Sequence, residues 1–326
     1  MKLSQRRQFL HLAAGAAALS ALPRIARAQA YPNRPVHLIV PAPAGGPADI
    51  VGRIIAQWLT ERLGQSVVVE NRGTAGGNVA TESVARATPD GYTLLSSTVT
   101  TAINQTLYEK LNFNFITDLM PVGNLVSTPG TLVVKPSFPA KSVPELIAYA
   151  KANPGKIDQA SGGTGSIAHM WGELFKLMAG VNMTHVPYRG GGPALSDLLA
   201  GVVDLSFLPM PVSIEHIKSG RLRALGVTTA KPVAALPDLP PIGDFVRGYE
   251  GDGWQGVSAP KGTPAAIVDR LNLEINAGLA DTKVRTRFEE LGANVIPGTA
   301  AQFGKFCADE VAKWARVIKS AGIKAE

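Results

Sequence analysis

The sequence predicts an α/β protein of two domains. Strand, loop and helix patterns alternate along the chain, as in βαβ units that build a parallel sheet. One run of such units starts at residue 36 and a second near residue 131. About 300 residues remain once an N-terminal export segment is set aside, which suits two domains of ordinary size, each with its own core.

The first run begins with a buried strand at 36–40 and a loop rich in proline and glycine at 41–47. Apolar residues then recur at helical spacing from Ile50 to Leu63, and Gly64 ends this helix. The pattern continues with a strand at 66–70, a helix near 78–87 and a strand at 92–96. We therefore expect the first strands to form a parallel sheet.

The second run starts with a strand at 131–134, and Ser142 with Glu145 forms a capping box that begins a helix. Its further strands are predicted at 158–161, 184–187, 202–208 and 222–228, and its helices at 142–153, 166–179, 193–200 and 211–218. Segment 231–262 is rich in proline and glycine and is predicted to be a long surface crossing. Three helices follow, beginning after Thr263-Pro264, at Asp281 and at Thr299, with a short strand at 293–296.

Residues 1–30 predict a cleavable export signal. Lys2, Arg6 and Arg7 precede an uncharged, alanine-rich stretch, and the small residues that follow suit cleavage near residues 28–30. The pair Arg6-Arg7 resembles the twin-arginine export motif, while an ordinary secretory signal stays open. We expect the mature protein in a bacterial periplasm.

The net charge of the chain does not indicate a nucleic-acid partner. The full chain carries +7, but residues 1–28 hold five basic residues and no acidic one, so +2 remains after cleavage. Cys307 is the only cysteine, which excludes an internal disulfide, and we expect it to be a small apolar residue of a C-terminal helix.

Three loops are candidates for a ligand site, because ligands of open α/β sheets bind at the carboxyl ends of strands. They span 43–49, 161–166 and 187–193, and each leads into a helix whose N-terminus favours an anion. A tight strand-to-helix turn is the alternative for the first loop. Tyr188 could cover an apolar ligand body and Arg189 could pair a carboxylate, or they are a core tyrosine and a solvated arginine.

Sequence signatures of an enzyme are mostly absent, and we expect a protein that is not an enzyme. The chain has no phosphate-binding loop and no nucleophile elbow. Its histidines lack metal-ligand spacing, so neither a metal nor another cofactor is predicted. His169 is expected to be a packed structural residue, since no partner acid is evident.

Several ordered blocks of the chain together are typical of one protein family: Pro43-Ala44-Gly45-Gly46 with Asp49 and Arg53, LGQSVVVENR (63–72), AGG (75–77), TPDGYTLL (88–95), ELIAYAKANPGK (145–156), HVPYRGG (185–191) and LPD (236–238). Through these blocks the chain resembles, from about residue 31 to its C-terminus, the periplasmic receptors of tripartite tricarboxylate transporters, the TctC or Bug solute-binding proteins.

The resemblance implies a two-lobed, Venus-flytrap binding protein of type II, each lobe a mainly parallel sheet flanked by helices. Lobe 1 would hold residues 31–128 and 254–326, and lobe 2 residues 129–253. A di-, tri- or aromatic carboxylate would bind in the cleft, held largely by backbone N–H groups, and a membrane permease would receive it. The expected ligand-binding residues are Pro43, Ala44, Gly45, Gly46, Pro47, Asp49, Ser97, Thr98, Gly162, Gly163, Thr164, Gly165, Ser166, His169, Tyr188, Arg189 and Asp204.

The first loop departs from the family pattern. The family usually has glycine-threonine after the paired glycines, where this chain has Pro47-Ala48. A hydroxyl and an N–H donor are therefore missing beside the expected carboxylate.

Two other functions stay open at this point. The same closed form could be presented to a membrane sensor kinase instead of a permease. A secreted hydrolase or isomerase could use His169 with Asp49 or Asp204. In each case we expect a monomer without a nucleic-acid partner.

Overall fold

The computed structural model describes residues 31–325, apart from the side chains of Thr74 and Ala75. The predicted export signal, including Arg6 and Arg7, lies outside these residues. Two β-sheets with flanking helices make up the part of the chain that is described. The α-helices are α1 (Pro47–Leu63), α2 (Asn78–Ala85), α3 (Val99–Leu107), α4 (Val143–Ala152), α5 (Ile167–Ala179), α6 (Gly191–Ala200), α7 (Met210–Lys218), α8 (Ala265–Ala280), α9 (Thr282–Glu290) and α10 (Ala300–Ala321).

The first sheet has six strands in the order β11-β4-β10-β3-β1-β2. Its strands are β1 (Val36–Val40), β2 (Val67–Asn71), β3 (Thr93–Thr98), β4 (Leu119–Thr128), β10 (Gly253–Pro260) and β11 (Asn294–Val295). Strand β1 pairs in parallel with β2 and β3, whereas β10 runs antiparallel to β3 and β4.

The second sheet has five strands in the order β7-β6-β8-β5-β9. Its strands are β5 (Gly130–Val134), β6 (Asp158–Ser161), β7 (Thr184–Pro187), β8 (Leu205–Pro209) and β9 (Arg223–Val227). Strand β6 is parallel to β7 and β8, and β5 is antiparallel to β8 and β9. Both sheets are therefore mixed, and the prediction of mainly parallel sheets is wrong in this respect.

The unit β1–α1–β2 forms as its sequence predicts. Strand β1 is almost wholly buried, as an apolar run between covered faces should be. Pro47 occupies the first turn of α1, where a missing N–H costs nothing, and Gly64 ends the helix with φ 69°. The carboxyl end of β1 and the start of α1 are thereby fixed next to each other.

Strand β10 contradicts the prediction of a surface crossing over 231–262. Residues 253–260 form a buried strand in the middle of the first sheet. Gly256 is required there by packing, because a Cβ atom would lie 2.3 Å from the Phe303 ring and 2.8 Å from the Gly123 carbonyl oxygen. Glycine in this strand indicates a close approach and not a loop.

The chain passes between the two sheets twice. Pro129 alone separates β4 from β5, and residues 228–252 lead from β9 back to β10. Trp171 of α5 lies against both passages: a Cβ atom on Gly130 would lie 2.5 Å from one edge of its indole, and a Cβ atom on Gly251 2.6 Å from the other. The two passages are therefore packed against one side chain.

Helix α10 contacts α3 and β4 of the first sheet and α5 of the second. Glu310 of α10 is buried and accepts the indole N–H of Trp254 at 2.8 Å and that of Trp314 at 3.0 Å. Lys313 makes an ion pair with the same carboxylate. Over residues 31–325, no helix combines the length and apolar character that a membrane span needs.

Candidate functional site

A cavity of about 320 Å³ lies between elements of the two sheets. The first sheet contributes the residues after β1, the end of β3, and the adjoining ends of β4 and β10. The second sheet contributes the start of α5, the end of β8 and the first turn of α7. The volume is at the lower end of the range for small-molecule pockets.

The first predicted loop forms part of the cavity wall. Pro43, Gly46 and Pro47 line it. Ala44, Gly45 and Asp49 do not line it. The buried Asp49 makes its hydrogen bonds within the loop and the first turns of α1 instead. Its carboxylate accepts the Gly45 N–H at 2.8 Å and the Arg53 Nε–H at 3.0 Å.

The electrostatics of Asp49 follow from these contacts. Burial alone would raise the pKa of this carboxyl, but the hydrogen bonds from Arg53 and from the Gly45 N–H hold it below its ordinary value. Asp49 therefore stays ionised, with its charge compensated by Arg53. Its role is to fix the shape of the loop.

The start of α3 forms the neighbouring part of the wall. Thr98, Val99 and Thr100 line the cavity. Ser97, which was predicted beside Thr98, is fully buried, and its hydroxyl group donates to Ser258 Oγ at 2.7 Å. The alternation of a strand places adjacent residues on opposite faces, which explains why only one of the pair reaches the cavity.

The second predicted loop, residues 162–166, does not line the cavity. Its N–H and hydroxyl groups are hydrogen-bonded within the loop and to the first turn of α5 instead. The Gly163 N–H donates to Ser161 Oγ, the Gly165 N–H donates to His169 Nδ1 at 3.1 Å, and Ser166 Oγ accepts the His169 N–H. Ile167, the first residue of α5, lines the cavity instead.

His169 is buried within a polar cluster behind this loop. Its ring stacks on His185 with centroids 3.7 Å apart, and its Nε2 lies 3.3 Å from Glu173. Burial, followed by the charge of His169, lowers the pKa of His185 to about 4. His185 also forms a hydrogen bond, with its Nε2 lying 2.6 Å from Ser161 Oγ.

The geometry around His169 corrects the enzymatic alternative. Its carboxylate partner is Glu173, which is also paired with Lys176, and neither Asp49 nor Asp204 takes this place. Asp204 forms an ion pair with Lys135 at 2.8 Å and accepts the Asp158 N–H at 2.9 Å. The histidine therefore positions the loop within a satisfied network.

The third predicted loop also lies away from the cavity wall. The Tyr188 hydroxyl group donates to Asp197 Oδ2 at 2.6 Å, and this hydrogen bond raises the pKa of Tyr188 to about 12. Arg189 is exposed. The assignment of both residues to the ligand site stays a prediction.

Several wall residues were not predicted from the sequence: Thr128, Trp171, Pro209, Pro211, Val212, Trp254 and Gln255. A signal for part of this set was present, because Pro209 and Pro211 follow the carboxyl end of β8 and start a helix, as the first loop does after β1. The contribution of β10 could not be found once its segment was interpreted as a surface crossing.

The cavity has no charged side chain among the described residues that line it. Its electrostatic character comes from four helices, α1, α3, α5 and α7, each of which begins at the wall. A helix N-terminus carries about half a positive charge on its backbone N–H groups. This arrangement favours an anion without a basic side chain.

A metal site finds no support in the part of the chain that the structure describes. There, no group of three or more histidine, cysteine, aspartate or glutamate side chains could hold a metal ion. Cys307 is a buried thiol whose pKa is raised by burial, as expected for a packed core residue.

Comparisons with known proteins give one consistent result. The family described as "Tripartite tricarboxylate transporter family receptor" matches residues 51–323. Protein BugT of Bordetella pertussis is 39% identical over 302 residues, covering 91% of this chain and 92% of BugT.

Two solved structures resemble the chain over most of its length. An R. palustris protein solved with adipate is 38% identical with a TM-score of 0.78, and the match covers 90% of this chain and 99% of that one. MatC from Rhodopseudomonas palustris, solved with bound malate, is 31% identical with a TM-score of 0.74, over 88% and 100% of the two chains.

Proposed function

Because this chain belongs to the tripartite tricarboxylate transporter receptor family, we propose that it captures a small carboxylate in the cavity between its two sheets. The bound carboxylate is then delivered to the membrane subunits of a transporter. The receptor works as a monomer and needs neither a cofactor nor a nucleophile.

The observation that carries the proposal is the convergence of four helix N-termini on an uncharged cavity. Gly46, Thr98 and Ile167 mark three of these helix starts, and Pro211 marks the fourth. Helix starts attract an anion yet hold it less tightly than a buried basic side chain would. A receptor must release its ligand, and partial charges suit that requirement.

The relatives support the chemical class of the ligand. Two similar structures contain adipate and malate, both carboxylates. Both of these proteins match this chain over most of its length. We therefore assign carboxylates, and not neutral solutes, to this site.

The two sheets are proposed to be the cores of two lobes, with lobe 1 formed by residues 31–128 and 254–326 and lobe 2 by residues 129–253. The cavity walls come from both sheets, so a rotation about the two passages would open and close it. A ligand closes the lobes only by binding the closed form more tightly than the open one.

The site of action is proposed to be the periplasm. The family is one of periplasmic receptors, and residues 1–30 have the composition of an export signal. Export in the folded state through the twin-arginine route would be tested with Arg6→Lys and Arg7→Lys, which should retain the protein in the cytoplasm.

The proposal is tested by thermal shift and titration calorimetry against a panel of carboxylates and their neutral amides. At least one carboxylate should raise Tm and bind, whereas the amide of the same skeleton should not. If only neutral solutes bind, the assignment of an anion site is wrong. Ligand recovered unchanged after long incubation would further support a receptor.

A variant at the start of α1 tests whether the bound carboxylate lies near this loop. Gly46 has φ −78° and ψ 168°, which other residues adopt, and Asp and Asn are both good residues at this N-cap position. Gly46→Asp puts a negative charge at the helix start and should weaken carboxylate binding by about ten-fold or more, about 1.4 kcal/mol. The neutral Gly46→Asn variant is the matched control. Equal affinities of the two variants would remove this loop from the site.

A further inference from the structure

The two sides of the cavity differ in chemistry. The first sheet contributes every polar side chain of the described wall, namely Thr98, Thr100, Thr128 and Gln255. The second sheet contributes mainly apolar surface, from Ile167, Trp171, Pro209, Pro211 and Val212. The polar atom among these side chains, Trp171 Nε1, is buried from solvent and has no hydrogen-bond partner among the described residues.

The polar side suits one carboxylate. The N-terminus of α3 begins at Thr98 and Val99, and the hydroxyl group of Thr100 lies in its first turn. Thr128 lies across from it at the end of β4. Hydroxyl groups and a helix N-terminus together can meet the oxygen atoms of a carboxylate.

Gln255 lies on this side, but its amide nitrogen is already hydrogen-bonded within the protein and is not available to the ligand. Its Nε2 donates to the Ala48 carbonyl oxygen at 2.8 Å and to Ser96 Oγ at 2.6 Å. It thereby ties the start of α1 to strands β3 and β10. Pro47 at the start of α1 has no N–H to offer, whereas Thr98 and Thr100 at the start of α3 bring hydroxyl groups to the wall.

The apolar side offers no side-chain hydroxyl or amide group to a ligand, and the start of α7 is short of N–H donors. In α7, the Met210 N–H donates to the Pro129 carbonyl oxygen at 2.9 Å, and Pro211 has no N–H. In α5, Ser166 Oγ accepts the His169 N–H, as Thr98 does for the first turn of α3, but Ser166 does not line the cavity, whereas Thr98 and Thr100 do. A second carboxylate placed against this side would lose its water without gaining comparable hydrogen bonds, which weakens the binding of an ionised group.

We infer that the ligand of this site is a monocarboxylate with an apolar body. Its carboxylate is held at the start of α3, and its body lies against the apolar side described above, which includes Ile167 and Val212. This inference rests on the proposed function and narrows it, since the similar structures contain dicarboxylates. The apolar body gains free energy by leaving water.

Hexanoate and adipate make the discriminating pair, because they share a six-carbon chain and differ in the second carboxylate. Calorimetry on the purified protein should show hexanoate binding at least about ten-fold more tightly than adipate, about 1.4 kcal/mol. Hexanamide, which lacks the charge, should bind weakly or not at all. Adipate binding as tightly as hexanoate, or more tightly, overturns the inference and leaves the proposed function standing. Binding of hexanamide without either acid overturns both.

A charge placed on the apolar side should reverse the preference. Val212 is 41% exposed, so Val212→Arg can be accommodated at the rim, where it offers a bidentate partner to a second carboxylate. Its ratio of adipate to hexanoate affinity should rise by about ten-fold relative to the unmodified protein. Leu273→Arg, at a site that is 62% exposed on α8, adds the same charge elsewhere and should leave the ratio unchanged. An unchanged ratio in Val212→Arg would show that the body does not lie against this side.

Discussion

Asp252 lies at the end of the return passage, one residue before β10, in a partly buried position. The hydroxyl group of Thr228 approaches its carboxylate at 3.5 Å. Burial, followed by the negative charge of Glu250, raises its pKa to about 7, although Lys313 opposes the rise and Glu310 adds to it. The carboxyl is therefore ionised at a cost to the folded state at neutral pH.

The sign of the pH dependence follows from the direction of this shift. The unfolded chain releases the proton near pH 3.8, whereas the folded protein keeps it to about pH 7, so the folded state binds more protons over that interval. The free energy of unfolding must fall as the pH rises from about 4 to 7. At about 1.36 kcal/mol for each of about three pH units, the upper bound is about 4 kcal/mol, and we expect about half of it since part of the side chain reaches water.

Asp252→Asn removes the ionisation and keeps an oxygen acceptor for Thr228. Urea unfolding at pH 5, 6, 7 and 8 should show a stabilisation by this variant that grows with pH to about 2 kcal/mol. Asp309→Asn is the control, because Asp309 is exposed and paired with Lys305 on the surface of α10. A stabilisation by Asp252→Asn that is equal at all four pH values would refute the reasoning.

Two further predictions concern stability. Gly256→Ala should lower the free energy of unfolding by about 1–3 kcal/mol, because its Cβ would collide with Phe303 and with a backbone oxygen atom, whereas Gly191→Ala, which meets nothing within 4 Å, should not. The lowered pKa of His185 means that the folded state disfavours its protonation, so this group's contribution to stability is present above about pH 6.5 and is lost as the pH falls towards 4. His185→Gln should reduce that loss, measured as the difference in urea midpoint between the variant and the unmodified protein at pH 4.5 and 7, and parallel pH profiles would contradict the assignment.

Much of the fold could be predicted from local patterns. The β1–α1–β2 unit carries an apolar strand, helical periodicity and a terminal glycine at Gly64, and all three act within a few residues. The caps of the last helices were equally local, since Asp281 accepts N–H groups of its own first turn and Thr299 does the same for α10. The two-lobed α/β class and the family were confirmed by the comparisons.

The elements that escaped prediction depend on distant contacts. Strand β10 has glycine because Phe303 packs on it from α10, some fifty residues later, and no local pattern reports that contact. Part of the cavity wall also depends on distant contacts, because Thr128 and Trp254 join it only through the antiparallel pairing of β4 with β10. The glycine loop 162–166 carried a strong local signal, yet its N–H groups serve Ser161 and His169.

The contact of Trp171 with both passages has a mechanical consequence. The indole ring is rigid and spans the space from Gly130 to Gly251, so neither passage can bend towards it independently. The same indole ring also forms part of the cavity wall, so the segments that join the two sheets and the candidate ligand site share one rigid side chain.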